Sequence, residues 1–483
     1  MKTLIQGGTV VGFNGKSHEI LKDGVVVFED DTICFVGFSY PGLVDKTIDA
    51  SKKLIIPGFI NTHVHASSNV ADYFQNDPGK TDYFGSNYLT YLTPLKGTKG
   101  PRGLEDFRIG GKFTLIHAMK NGSTTIQVYG GGAEGGDEFV EMVGGLGLRA
   151  YLAPSYRSVD LHYEEGGALR YVSNDEIGEK GLQQAVAFIR KHSGKHNGRI
   201  QGMLYPRQPD TCTPDILKKT KEAAKELGVG IQIHVGVNLI EFHQIIMRYG
   251  KTPIKFLADL GFLGPEVILA HCVFINGHSW TVLPRGDDLD LIADSGSSIS
   301  HCPFKYAKSG IAMESFDRYL ARGVNISLGT DSYPMDMVNE MRTASFANRF
   351  AERDYLAGSY RDVFNAATLG GAKALGRDDL GRLCAGAKAD ILIVDITKIA
   401  FGAIFDPIKA LVEYGSGRDI ETVIVDGRTV VDGRRFLGVD EEELLSKVQA
   451  EAEMIWAKIP EWDLKGRKAE EISPLAFPFK KSP

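Results

Sequence analysis

The sequence predicts an α/β fold: a (β/α)8 (TIM) barrel with a small β-sandwich that is formed from both chain termini. Two observations lead to this prediction. The middle of the chain alternates strand-like apolar runs with helical patterns, which is typical of βα units and a parallel sheet. Both ends instead carry short β-branched runs broken by glycine and Asp-Gly dipeptides, a pattern that indicates antiparallel hairpins.

Eight apolar runs in the central zone predict the barrel strands. Helical stretches such as PDILKKTKEAAKELG (residues 214–228) lie between them. Eight such units suit a TIM barrel, and a doubly wound open sheet is the alternative. In chain order the runs are LIIPGFINTHVH, STTIQVYG, LRAYLAP, IQGMLYP, VGIQIHV, EVILAHC, SSISHCP and VNISLGTD.

The same patterns divide the chain into four segments. The expected division is an N-terminal β-sandwich segment at residues 1–56, the barrel at 57–379, a second β-sandwich segment at 380–437, and a C-terminal helix and tail at 438–483. The widest gap between predicted strands, residues 66–123, is rich in aromatic and turn residues and is predicted to be a long loop over the barrel mouth. Phe74, Tyr83 and Tyr88 in this loop are candidate lid residues for an apolar or aromatic substrate group.

Composition limits the classes of function. The 483 residues are 43% hydrophobic and 24% charged, which is the balance of an ordinary globular protein. A net charge of −6 gives no reason to expect nucleic acid or a membrane as partner. We find neither a signal-peptide pattern nor an apolar run long enough to span a membrane. The five cysteines are scattered without a CxxC spacing, which favours a reducing, cytoplasmic location.

Five histidines and one aspartate stand at the C-terminal ends of predicted strands, the face on which barrel active sites are built. Strands favour apolar residues there, so repeated imidazoles are costly unless something pairs with them. In chain order these residues are His63, His65, His234, His271, His301 and Asp331.

The His63-Val64-His65 tripeptide predicts a metal site, because residues two apart in a strand point to the same face. Their Cα atoms stand roughly 6.5 Å apart, close enough for both imidazoles to bind one ion. His234 alone is more typical of a core histidine, and Asp331 alone would fit a helix N-cap. Together the four residues form a set of three histidines and one aspartate that leaves a position open for water, as a catalytic site requires.

The ordered motifs PGFINTHVH, IQIHVG, ILAHC, SHCP and LGTD resemble the amidohydrolase superfamily, in particular its mononuclear cytosine deaminase and chlorohydrolase-like branch. The resemblance covers nearly the whole chain. It implies one divalent metal ion per chain, Zn2+ first and Fe2+, Co2+ or Mn2+ as alternatives, and it implies a homo-oligomer. It also implies roles for the strand-end residues: metal ligation by His63, His65, His234 and Asp331, orientation of the water or polarisation of the scissile carbonyl by His271, and substrate positioning by His301. Because Asp331 would touch both the metal and the water, it is also the predicted general base, which returns the proton to the leaving amine.

Three positions depart from relatives of this kind. Binuclear members carry a lysine on the fourth strand, which here reads RIQGMLYPR, so one metal is expected. Deaminases carry a glutamate three residues after the fifth-strand histidine, where this chain has Val237; the nearest carboxylate downstream is Glu241. Arg207 stands where the branch often has a histidine. The departures at Val237 and Arg207 argue against ring deamination of the usual kind.

A longer segment of the chain, HVGVNLIEFHQIIMRYGKTPIKFLADLGFLGPEVILAHC, is similar to the molinate hydrolase and phenylurea hydrolase group. The sequence therefore predicts an enzyme that cleaves a non-peptide C–N bond of amide, urea or carbamate type in a small molecule by means of a metal-activated water. The alternative is an aminohydrolase of a pyrimidine, purine or triazine, and a non-catalytic scaffold is a remote third. Candidate substrate-pocket residues are Glu241, Arg207, His278, Trp280 and Tyr333.

Overall fold

The computed structural model of the chain describes residues 1–66, 107–133, 135–164, 169–462 and 465–480. The lid candidates Phe74, Tyr83 and Tyr88 lie outside the described residues. Among the described residues, no helix combines the length and the apolar character needed to cross a membrane.

The N-terminal segment forms five strands of one sheet. β1 pairs with β2 in antiparallel fashion and with β4 and β5 in parallel, and β2 continues to β3. More and less buried residues alternate over the first half of β1, and irregularities around Gly8 shift this alternation, so that Ile5 and Val10 are both fully buried. The strands are β1 (Lys2–Phe13), β2 (His18–Glu29), β3 (Thr32–Gly37), β4 (Lys46–Asp49) and β5 (Leu54–Pro57).

The central zone contains twelve strands in the described residues. They are β6 (Phe59–Val64), β7 (Ser123–Tyr129), β8 (Arg149–Ala153), β9 (Ser155–Tyr156), β10 (Val159–Tyr163), β11 (Leu169–Ser173), β12 (Ile200–Gly202), β13 (Tyr205–Pro206), β14 (Ile231–Val235), β15 (Val267–His271), β16 (Ser298–His301) and β17 (Asn325–Leu328).

Eight of these strands form a closed parallel barrel. The order β6-β7-β8-β12 makes one half and β14-β15-β16-β17 the other. Single bridges join the halves, from Leu204 to Ile231 and from Val64 to Asp331. Nearly every residue of the eight strands is buried, as expected for a parallel sheet that is covered on both faces. The predicted TIM barrel is confirmed.

The first predicted strand is in fact two strands. β5 belongs to the terminal sheet, where it pairs with β1 and β18 (Ile391–Val394), whereas β6 opens the barrel. Gly58 separates them, and a Cβ atom at Gly58 would lie 2.1 Å from Thr124 Oγ1. The uninterrupted apolar run concealed this change of sheet, because both strands are buried.

Helices connect the strands on the outside of the barrel. Within the described residues of the central zone they are α1 (Gly110–Lys120), α2 (Gly136–Gly145), α3 (Asp175–His192), α4 (Pro214–Leu227), α5 (Leu239–Tyr249), α6 (Pro253–Asp259), α7 (Asp288–Ser295), α8 (Pro303–Ala307), α9 (Phe316–Ala321), α10 (Met337–Glu352), α11 (Tyr360–Asn365) and α12 (Gly371–Ala374). A π-helical turn at Ala366–Gly370 joins α11 to α12.

One helix corrects the prediction of an uninterrupted loop over residues 66–123. α1 occupies residues 110–120 and buries Leu115, Ile116 and Met119 against the barrel. Packing against the core stabilises this short segment, whose two leading glycines are poor helix formers.

The C-terminal segment completes the terminal β domain. Its strands and helices are β18 (Ile391–Val394), α13 (Pro407–Tyr414), β19 (Ile420–Val425), β20 (Arg428–Asp432), β21 (Arg435–Phe436), α14 (Glu441–Ala457), α15 (Ile459–Trp462) and α16 (Ala469–Ile472). The hydrogen-bonded order β21-β20-β19-β18-β5-β1-β2-β3, with β4 on β1, links both termini in one nine-stranded sheet. The predicted β domain built from both ends is confirmed. We propose that the chain divides into the four predicted segments, residues 1–56, 57–379, 380–437 and 438–483.

A buried ion network joins this domain to the barrel. Arg149, on β8, is 1% exposed and contacts Asp390 at 3.3 Å and Asp426 at 2.8 Å. Arg199 contacts the second oxygen of Asp426 at 3.4 Å. Charges buried in this way are stable only while they remain paired, so the network ties the two domains together.

Candidate metal centre

The strand-end histidines and Asp331 converge at the carboxyl end of the barrel. His65 Nε2 lies 3.2 Å from His234 Nε2 and 3.7 Å from Asp331 Oδ1. The ring of His63 lies 4.9 Å from that of His65 and 4.7 Å from that of His234. His271 Nε2 lies 3.5 Å from Asp331 Oδ2. The four residues predicted to bind a metal, together with His271, therefore surround one point.

The hydrogen bonds of His63 direct one of its nitrogen atoms to this point. Its Nδ1 lies 2.8 Å from Gln232 Oε1, and an amide oxygen can only accept, so Nδ1 carries the proton. Nε2 is buried, has no hydrogen-bond partner and keeps its lone pair. Gln232 is itself oriented by donating to Thr62 O at 2.7 Å and Gln127 Oε1 at 3.1 Å.

His234 is oriented in the same way by backbone. Its Nδ1 lies 3.1 Å from Arg207 O, and because a carbonyl oxygen accepts, Nε2 is again the nitrogen with a free lone pair. Tyr129 donates to the same carbonyl at 3.2 Å and packs its ring 4.2 Å from the His234 ring. Metal-binding histidines typically bond their second nitrogen to carbonyl or carboxylate groups, which fixes their tautomer.

The donor atoms fit a single divalent cation. Two imidazole nitrogens bound to one tetrahedral ion at about 2.0–2.1 Å stand roughly 3.3–3.4 Å apart. The separation of 3.2 Å between His65 Nε2 and His234 Nε2 agrees with that value. The buried, unpartnered Nε2 of His63 is the kind of atom that an ion would satisfy. Imidazole and carboxylate donors suit zinc and neighbouring transition metals.

Burial keeps the imidazoles neutral, which metal binding requires. It lowers the pKa of His63, lowers those of His65 and His234 further, and lowers that of His271 to about 3. For Asp331, burial by itself would raise the pKa. The charge of Lys305 and the neighbouring imidazoles outweigh burial and hold the pKa of Asp331 well below its ordinary value.

The backbone is left-handed at two of these strand ends. φ is +74° at His271, +50° at Cys272 and +61° at Asp331. Non-glycine residues rarely adopt this conformation, and such strain is typical of functional sites. His271 ends β15, and Asp331 follows the end of β17 by three residues, so both unusual conformations lie at the mouth of the barrel.

His301 lies beside this cluster and outside its groups of potential ligands. It is 3% exposed, its ring lies 6.3 Å from Phe316, and burial lowers its pKa to about 3. The groups whose donor atoms lie close enough to share an ion, within the described residues, are His63-His234-His271, His63-His65-Asp331 and His271-Cys302-Asp331.

Glu241 and Arg207 support the backbone and the histidine orientation at the site, Glu241 through its carboxyl group and Arg207 through its backbone carbonyl. Both oxygens of Glu241 accept backbone N–H bonds, from Gly236 at 3.0 Å and from Val237 at 2.8 Å. Glu241 is fully buried, and burial together with nearby Asp210 raises its pKa well above the ordinary value. Its carboxyl group thus holds the loop that follows β14, while Arg207 contributes the carbonyl that orients His234.

Two of the remaining pocket candidates line a separate cavity, and the third stacks on α1. His278 and Trp280 line a cavity of about 530 Å³ together with Phe346 and Phe350 of α10, and none of the metal-site donors lines it. His278 Nε2 donates to Ala312 O at 3.1 Å. The ring of Tyr333 stacks on His117 of α1, with centroids 5.0 Å apart.

Sequence reasoning missed four residues around the centre: Gln232, Tyr129, Tyr306 and Lys305. Lys305 of α8 forms an ion pair with Asp331 Oδ2, and the Tyr306 ring lies 5.4 Å from that of His271. Gln232 could have been found, since it is a polar residue in an otherwise apolar strand, two positions before His234. Lys305 carries no such signal, because its contact depends on how α8 packs against α10.

A model of the Amidohydrolase family matches residues 54–430 of this chain. The chain belongs to the amidohydrolase family. The 5'-deoxyadenosine deaminase of Methanosarcina mazei is 32% identical over 444 residues, which cover 91% of this chain and 95% of the relative. The prediction of an enzyme that acts on carbon–nitrogen bonds other than peptide bonds is confirmed.

Two solved structures share the amidohydrolase fold seen here. An adenosine deaminase from Xanthomonas campestris with bound zinc superposes with a TM-score of 0.78 at 20% identity, over 94% of this chain and 98% of that one. The zinc complex of atrazine chlorohydrolase TrzN from Arthrobacter aurescens TC1 gives 0.77 at 23% identity, over 93% and 100%. At these identities the likeness concerns the fold alone.

Proposed function

We propose that this amidohydrolase is an aminohydrolase that releases ammonia from a carbon atom of a nitrogen heterocycle, and that adenine nucleosides are the first substrates to test. The observation that carries the proposal is the convergence of four histidines and Asp331 on one point at the barrel mouth. The 32% identity with a 5'-deoxyadenosine deaminase over 91% of the chain supports this substrate class. The aminohydrolase, which was the alternative prediction from the sequence, is thereby favoured over the main prediction, hydrolysis of an amide, urea or carbamate.

His63, His65, His234 and Asp331 would hold one divalent ion, zinc first, because zinc is bound in both solved structures described above. When bound, such an ion lowers the pKa of a coordinated water and so supplies a nucleophile near neutral pH. The neutral imidazoles and the ionised carboxylate are the protonation states that this requires.

Asp331 is the proton carrier in this proposal. Its buried carboxylate takes a proton from the attacking water and returns it to the leaving amine, a role that needs an ionised group within reach of both. His271, with Nε2 3.5 Å from Asp331 Oδ2, would orient the water or polarise the group that the water attacks. His301, buried nearby, remains a candidate for substrate positioning.

A second candidate function is hydrolysis of a urea, carbamate or amide, as in the molinate hydrolase and phenylurea hydrolase group. One observation favours it. Val237 has an apolar side chain, and Glu241 is engaged by backbone N–H groups, so the β14 loop supplies no free carboxylate to protonate a ring nitrogen. These substrates need no ring-nitrogen donor.

A product assay separates the two candidates. Zinc-loaded protein is incubated with adenosine, 5'-deoxyadenosine and aminotriazines, and in parallel with phenylureas, anilides and thiocarbamates. We expect release of ammonia from a heterocycle and, for the nucleosides, a matching fall in the ultraviolet absorbance of the 6-aminopurine ring. Release of aniline or a dialkylamine from the second set, with no ammonia from the first, would reverse the order of the candidates.

The nature of the partners and the location are further predictions. A small-molecule substrate follows from either candidate function. A homo-oligomer and a cytoplasmic location remain predictions. Size-exclusion chromatography with light scattering would test the oligomeric state.

A further inference from the structure

Lys305 occupies an unusual place for a lysine. It lies on the short helix α8 directly after the β16 strand end, its side chain is only 18% exposed, and its ammonium group contacts Asp331 Oδ2. Lysine is rarely buried unless it is paired, because removing its charge from water is costly. Its charge therefore lies beside Asp331, one of the residues of the histidine cluster.

Neighbouring residues fix this placement. The N–H of Phe304, just before Lys305, donates to Glu340 Oε2 of α10 at 3.0 Å. The hydroxyl of Tyr306, just after it, donates to Val237 O of the β14 loop at 3.1 Å. Because α8 is held from both sides, the direction of the Lys305 side chain is set by the fold.

Lys308 provides the contrast. It lies three residues further along, is exposed, and places its ammonium group 5.6 Å from the centroid of the Phe304 ring. Its contact is that of an ordinary surface lysine. Two lysines on one short segment thus differ in burial and in partner.

We infer that Lys305 is a catalytic residue whose ammonium group donates a hydrogen bond to the substrate atom that becomes negatively charged when water adds. The inference rests on the proposed function only in requiring hydrolysis of a C–N bond. That atom is the ring nitrogen of a heterocycle or the carbonyl oxygen of a urea, so the same group serves both candidates. A fixed donor in a water-poor site is among the strongest sources of transition-state stabilisation.

The proton balance closes without any change in Lys305. The water oxygen forms a bond to carbon, and the π electrons of the C=N or C=O group move to the atom that Lys305 contacts. Asp331 carries one water proton to the leaving amine as the C–N bond breaks. In a heterocycle the second water proton passes by way of Asp331 to the ring nitrogen, and Lys305 keeps its own protons throughout.

The test compares Lys305→Met, Lys305→Arg and the matched control Lys308→Met, each with metal content and thermal unfolding measured. For Lys305→Met we expect kcat to fall on the order of 10²–10³-fold, the effect of losing one oxyanion donor, with KM changed much less. Lys305→Arg should recover part of the loss, since it keeps a cationic donor, and Lys308→Met should match the wild type.

A second measurement needs no substrate. Azide is titrated into cobalt-substituted protein and followed by visible absorption. A cation beside the coordination site stabilises a bound anion, so azide should bind at least about tenfold more weakly to Lys305→Met than to the wild type or Lys308→Met.

The two measurements have separate meanings. If no compound in the substrate panel is hydrolysed, the proposed function fails, and the azide titration alone judges Lys305. Unchanged azide affinity in Lys305→Met, an unchanged kcat, or loss of the metal in this variant would each overturn the assignment, the last because Lys305 would then serve only to keep Asp331 in place.

Discussion

Replacing Gln232 with methionine tests how this protein prepares His63 to bind a metal. Gln232 Oε1 accepts the Nδ1 proton of His63 at 2.8 Å, and its amide donates to Thr62 O and Gln127 Oε1. Methionine has a similar length and fits the buried strand, but its sulfur accepts only weakly and it donates nothing. The substitution therefore removes the interaction that selects the tautomer of His63 while largely preserving the volume.

The expected magnitude follows from these contacts. Loss of a hydrogen-bond partner of a metal-binding histidine typically lowers metal affinity about 10–100-fold, which is about 1.4–2.7 kcal/mol. The buried His63 Nδ1–H loses its acceptor, and an unsatisfied buried group costs about 1–3 kcal/mol of folding free energy. We expect both losses in Gln232→Met.

Zinc affinity is measured by competition with a chromophoric chelator, and the free energy of unfolding by urea titration of the metal-free protein. Gln201→Met is the matched control, because the Gln201 amide likewise both donates and accepts, to Gly198 O and from Ser193 Oγ, and these partners do not belong to the cluster. The control should keep zinc affinity within about twofold. Equal zinc affinity in Gln232→Met and wild type would refute the reasoning that Gln232 fixes the tautomer.

Three further predictions concern other regions of the molecule. Asp331→Asn should lower turnover at least about 10³-fold, with unchanged far-UV circular dichroism. A chelator should inactivate the wild type until zinc is added back. Activity that survives complete metal removal would contradict the proposed function. Arg149→Met should cost about 3–5 kcal/mol in urea unfolding, because it leaves Asp390 and Asp426 buried without their main partner; a loss below about 1 kcal/mol would mean that water reaches the pair. Burial raises the pKa of Glu340 well above its ordinary value, so the folded state holds a proton that the unfolded chain releases near pH 4.3, and stability falls as pH rises from there towards the raised pKa. Glu340→Gln should therefore gain in melting temperature relative to wild type between about pH 4 and pH 8, and a difference that stays constant over this range would count against a raised pKa.

Much of the candidate site could be predicted from local sequence. His63, His65, His234, His271 and Asp331 each follow a short apolar run, and the C-terminal ends of parallel strands meet at one end of a barrel. Their convergence therefore follows from strand order alone. Gln232 could also have been predicted, because a polar residue in a buried strand needs a hydrogen-bond partner.

Other assignments depended on contacts between distant elements. Glu241 follows His234 by seven residues, yet its carboxyl group turns back to the amides of its own loop. His278 and Trp280 line a cavity against α10 that includes no metal-site donor. Spacing along the chain carries no information about either arrangement, because loop geometry and helix packing decide where a long side chain points.

The sequence by itself determined the barrel, the terminal β domain and the identity of the strand-end donors, since hydrophobic periodicity and strand ends are local properties of the chain. Only the tertiary structure decided that the apolar run around Gly58 serves two sheets and that Lys305 reaches Asp331. Both depend on long-range packing: a buried strand has the same pattern in either sheet, and the reach of a lysine is set by the helix that carries it and by what that helix packs against.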